Sequence, residues 1–191
     1  MITCIIFGSL AAIVLIAMVY IKFSESAVKK GIEKHLKDPL PIDGQDVVPE
    51  WYEQDWTDVD NNLLAFDKEH GIFLGITAGR KKGDKVDIRA IPVDTMTRCE
   101  VVIDGRTVLE ARAGKITGRH PENALDAFRA NSQKIKSIEL RVRSVSGGQT
   151  VPCSAGKYGV NLAEKYHILL LEAMKARGES PLPMARKLKK A

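Results

Sequence analysis

The chain carries an unbroken apolar run near its start. From Ile2 to Ile21 it reads ITCIIFGSLAAIVLIAMVYI, without a charge or a proline. As a helix at about 1.5 Å per residue, this run is roughly 30 Å long, the thickness of a bilayer's hydrocarbon core. A helix also satisfies its own backbone there. Nothing basic precedes the run and no small-x-small cleavage site closes it. The pattern therefore predicts a retained transmembrane anchor over residues 1–23, not a cleaved leader. No Lys or Arg lies ahead of the run, whereas Lys22, Lys29, Lys30, Lys34 and Lys37 follow it closely. The positive-inside bias then predicts a single pass with the N-terminus out and the C-terminal domain cytoplasmic.

Past the anchor the period changes twice. Residues 24–36 place Val28, Ile32 and Leu36 at four-residue spacing, which predicts a lysine-rich juxtamembrane helix ended by Asp38-Pro39. A helix lying on headgroups and a solvated stalk both fit that pattern. The linker runs on to residue 61 and holds both tryptophans, Trp51 and Trp56, in an acidic stretch. These rings are expected to dock onto the following domain, the alternative being a partner. From residue 62 the period is two. Leu63 to Asp67 and Gly71 to Ile76 flank the hairpin-length loop Lys68-Glu69-His70, and Val86, Ile88 and Ala90 alternate with polar residues. Asp104-Gly105 is a strong hairpin signal between Arg98–Ile103 and Thr107–Ala111. Ile138, Leu140 and Val142 alternate with Glu139, Arg141 and Arg143, and Gly147-Gly148 predicts a further turn. A short helix is expected over Pro121–Ala130. A longer one over Asn161–Arg177 has Asn161 as its N-cap and an apolar stripe of Leu162, Tyr166, Leu169, Leu170 and Met174.

Hairpin-length connections argue against a parallel sheet. The predicted class is α+β: an N-terminal transmembrane helix, then six or seven mostly antiparallel strands in a curved sheet or open barrel. A C-terminal amphipathic helix covers that sheet. The β-rich domain spans residues 62–178 and a basic tail spans 179–191.

Composition changes this picture little. The mean hydropathy of −0.12 averages the apolar segment with a polar remainder. The net charge of +5 comes from 29 basic and 24 acidic residues. That excess suits a neighbour of anionic lipid and also weak nucleic-acid binding. It is mild, so a mixed solvated surface is the favoured reading and nucleic acid is not an expected partner. Cys4, Cys99 and Cys153 form no CxxC or Cys/His cluster, so no zinc or redox motif emerges, and free thiols in a reducing compartment are expected. His35, His70, His120 and His167 stand in no ligand spacing, and G-x-S-x-G, P-loop and GxGxxG are absent. No catalytic residue, metal or cofactor is expected, the alternative being an enzyme whose site is too dispersed along the chain to recognise. The basic turn Arg80-Lys81-Lys82, with Lys85 opening the next strand, has two readings: a solvated turn, or a surface for anionic lipid or a partner.

Several of these phrases together resemble the PH-like domains of small, uncharacterised membrane-anchored bacterial proteins. The carrying residues are Leu64-Ala65-Phe66-Asp67-Lys68-Glu69, Ile91-Pro92-Val93-Asp94, Cys99 to Gly105, Ile138 to Val142 and the closing helix from Ala163 to Ala176. The likeness covers residues 62–177, with the helix at Pro121–Ala130 as an insertion. It implies a bacterial inner-membrane protein whose domain binds peptides, protein partners or lipids without catalysis. It also implies that the loop of Arg80, Lys81 and Lys82, with Lys85, is placed to meet anionic headgroups.

Overall fold

Two antiparallel sheets grow out of the period-two segments. The computed structural model describes residues 28–34, 36–42, 45–51, 53–59, 61–78, 86–113 and 123–178. The anchor expected at Ile2–Ile21 and the basic tail lie outside them. Among the described residues no helix is long and apolar enough to cross a membrane. The chain runs from α1 (28–34) to β1 (Leu40–Ile42), β2 (Gln45–Val47), β3 (Glu53–Trp56), β4 (Leu63–Asp67), β5 (Ile72–Ala78) and β6 (Val86–Pro92). After a 3-10 turn at Val93–Thr95 come β7 (Met96–Ile103), β8 (Arg106–Arg112), α2 (Asp126–Ala130), β9 (Ile138–Ser144), β10 (Gly147–Cys153) and α3 (Lys157–Gly178). One sheet has the order β3-β4-β5-β6, the second β8-β7-β9-β10, and β1 pairs only with β2. The protein is thus α+β, with two four-stranded antiparallel sheets and a C-terminal helix.

The central core lies between the sheets. Leu64, Phe66 and Phe73 of the first meet Cys99, Val101, Ile103, Leu140, Val142 and Val151 of the second. Helix α3 closes this core with Val160, Ala163, Tyr166, Leu170 and Met174. Each Val, Leu, Ile, Phe or Met side chain among them stabilises by roughly 1.5–3 kcal/mol when fully buried. Phe73 and Tyr166 meet edge to face at 6.5 Å. The opposite face of the first sheet, Leu63, Ala65, Leu74 and Ile76, is also buried, here under Ile32 and Leu36, with Val28, Trp51 and Trp56 packed alongside. A sheet covered on both sides reads as continuous apolar runs, as β4 and β5 do.

The structure departs from the sequence expectations in four places. Residues 40–56, read as linker, carry three strands, so ten strands are present among the described residues, while α1 falls within the helix expected over 24–36. Helix α1 is not a free stalk, because its apolar stripe is spent on the first sheet. Helix α3 begins at Lys157, a turn before the expected cap. The Asn161 side chain instead accepts a hydrogen bond from Arg129 Nε at 2.9 Å. The extra turn is possible because residue 159 is glycine: a Cβ there would collide with the Ser154 carbonyl. Finally, Val145-Ser146 makes the last hairpin turn, and Gly147 and Gly148 belong to β10. The Asp104-Gly105 turn is as expected, with φ of 48° and 77°, the pair of positive values that a two-residue hairpin loop requires.

Candidate functional site

The second sheet turns a charged face away from the core. Register sets Arg112, Arg98 and Arg143 side by side on β8, β7 and β9, with Glu110, Glu100 and Arg141 in the next row of that face. Like charges directly opposite one another destabilise a sheet, so a row of three arginines calls for compensation. Part of it is present. Arg98 pairs with Glu100 at 2.8 Å and with Glu110, and Glu110 also pairs with Arg112. The hydrogen bond from Arg112, together with the charge of Arg98, holds the Glu110 carboxyl below the usual range. Glu100 is buried and also accepts the Thr107 hydroxyl at 3.0 Å. Arg141 pairs with Glu139 at 2.6 Å. Arg143 is exposed and has no carboxylate partner among the described residues.

Beside Arg143 lies an open depression of about 640 Å³ lined by Thr97, Arg141, Arg143, Ser144, Ser146 and Thr150. Guanidinium groups and hydroxyls in one depression suit carboxylate or phosphate oxygens. On the neighbouring edge, Arg89 of β6 donates to the Gly148 carbonyl at 2.9 Å and ties the two sheets together there.

A second polar centre sits at the β4–β5 turn. Asp67 is fully buried, and its carboxylate accepts the His70 N–H at 3.0 Å and the Glu50 N–H at 2.9 Å. Its Oδ2 also lies 2.7 Å from the His70 ring Nδ1. The His70 carbonyl accepts a hydrogen bond from Arg177 at the end of α3, and Arg177 also reaches Asp94. The turn therefore joins four segments, and its geometry is that of a structural hub.

The tryptophans named from the sequence are docked. Trp51 Nε1–H donates to the Leu36 carbonyl at 2.8 Å, and the Lys29 ammonium lies 5.0 Å above the Trp56 ring. The basic loop residues Arg80, Lys81, Lys82 and Lys85 lie outside the described residues. Among the described residues, no group of three or more His, Cys, Asp or Glu is placed to hold a metal ion. Cys99 and Cys153 are buried free thiols. The arginine row was half legible: the outward alternation of Arg141 and Arg143 is in the sequence, but its neighbours depend on the pairing of β7 with β9. No protein-family model, no curated protein and no solved structure matches the chain.

Proposed function

We propose that the chain is a membrane-tethered interaction domain, an adaptor or regulator and not a catalyst. In this reading a helix over Ile2–Ile21 holds it at the cytoplasmic face of a bacterial inner membrane. The observation that carries the reading is the row Arg112, Arg98 and Arg143, with Arg143 lacking a carboxylate partner among the described residues beside a depression lined by hydroxyls. Folding alone does not favour such a row, and an acidic segment of a protein partner would complete it. The PH-like reading of the soluble part is supported by two antiparallel sheets closed by a C-terminal helix. The second sheet adds a variation on a simple meander, since β9 pairs with β7 and not with β8.

The topology is tested by adding protease to intact cells and to permeabilised cells. The domain is expected to survive the first treatment and to be cut in the second. Trimming in intact cells would overturn the cytoplasmic assignment.

A further inference from the structure

Helix α1 is amphipathic, and its apolar side is already occupied. Val28, Ile32 and Leu36 pack on the first sheet, and Lys29 is drawn over Trp56. What remains outward is charge: Lys30 and Lys34 on the helix and Lys37 just past it are exposed, against Glu33 on the helix and Asp38 after it. A helix without a spare apolar face has nothing to sink into acyl chains, so its contact with a bilayer is confined to headgroups. Chain length sets how far away that bilayer can be. Even fully extended, the path from Ile21 to Val28 covers at most about 25 Å. Layering sets direction. Helix α1 covers the face of the first sheet opposite the core, whereas the arginine row lies on the outer face of the second sheet, across the core from it.

We infer that the side of α1 that carries Lys30 and Lys34, with Lys37 just past its end, rests on anionic lipid headgroups and so fixes the orientation of the domain, with the arginine row turned away from the bilayer. The inference rests on the anchor reading of Ile2–Ile21. It makes α1 a bearing surface instead of a swivel, and leaves the outer face of the second sheet free for a partner. The lysines act at short range, because screening at physiological salt extends only about 8 Å.

The test uses the full chain reconstituted in vesicles of phosphatidylglycerol or of phosphatidylcholine. Spin labels are placed at Lys34→Cys or at Thr150→Cys, in a Cys4→Ser background, since Cys99 and Cys153 are buried. A headgroup-chelated nickel ion serves as the relaxing agent. In anionic vesicles, relaxation is expected to be at least about fivefold stronger at position 34 than at 150. In neutral vesicles, or with Lys30→Glu and Lys37→Glu, the ratio is expected to fall to within about twofold. A milder Lys30→Gln and Lys37→Gln pair, checked for folding by circular dichroism, is expected to give an intermediate ratio. Equal relaxation at both positions in a protein that resists carbonate extraction would overturn the bearing surface and leave the anchor standing. Persistence of the difference after charge reversal would overturn it too, showing that the short tether from Ile21 and not the lysines keeps α1 near the bilayer. Release of the chain by carbonate would overturn both readings.

Discussion

Asp67 serves three groups with one buried carboxylate, and this balance sets how it titrates. Burial pushes its pKa up, but the hydrogen bonds from His70 and Glu50 outweigh that and leave it below the usual carboxylate value. In return, the hydrogen bond to Asp67 raises the His70 ring above its ordinary 6.5. The two signs bracket a window. The histidine contribution is complete below pH 6.5 and is lost as pH rises through its folded value. The aspartate contribution is complete above pH 3.8 and is lost as pH falls through its own folded value. The pair therefore stabilises most between those limits. The His70 NMR titration midpoint is expected above 6.5, and to drop back toward it in Asp67→Asn. By urea unfolding, that variant is expected to lose about 1–3 kcal/mol, because buried N–H donors lose a charged acceptor. Burial also pushes the Cys153 thiol up to about 12 and raises Cys99. At pH 8, alkylating reagent is expected to spare both in the folded protein and to modify both in urea, read by mass spectrometry. The sequence shows Asp67 and His70 only as a strand end and a loop; their pairing depends on the turn's path.

Among the strands, β5 holds the closest approach of the two sheets. A Cβ at Gly75 would stand 2.5 Å from Gln149 Oε1 and 2.9 Å from Val151 Cγ2. The Gln149 amide is buried there with no hydrogen-bond partner among the described residues. Gly75→Ala is expected to cost about 1–3 kcal/mol in urea unfolding, with part recovered when Gln149→Ala opens the space. Edge strand β3 is covered by α3: Lys165 bridges Glu53 at 2.6 Å and Asp55 at 2.8 Å, and the Tyr158 hydroxyl donates to the Trp56 carbonyl at 2.9 Å. The buried Tyr166 hydroxyl donates to the Leu64 carbonyl at 2.7 Å. The stripe that predicted α3 was legible because four of its five residues, Leu162, Tyr166, Leu170 and Met174, are buried at helical spacing. Strand β3 was not, since Glu53 and Asp55 face α3 as ion-pair partners and give no apolar alternation. The docking of α1 was hidden as well: Val28, Ile32 and Leu36 show an apolar face but not what covers it.

The whole molecule is layered as α1, first sheet, central core with α3, and second sheet. Removing α1 is the most direct test of that arrangement. A chain starting at Asp38 uncovers Leu63, Leu74 and Ile76, all otherwise buried, as one apolar patch. It is expected to aggregate, by light scattering, relative to a chain starting at Val28. On the far side, a photo-crosslinker at Thr150 is expected to yield a discrete adduct in cells, and Arg98→Glu with Arg143→Glu is expected to abolish it.

The seam under α1 also has an optical consequence. Both tryptophans of the chain, Trp51 and Trp56, pack in that seam and neither belongs to the central core. Intrinsic fluorescence therefore gauges the attachment of α1, whereas far-ultraviolet dichroism follows the sheets. If emission shifts at a lower denaturant concentration than the dichroism signal, α1 lifts as a separate cooperative unit. If the two curves coincide, helix and sheets melt as one.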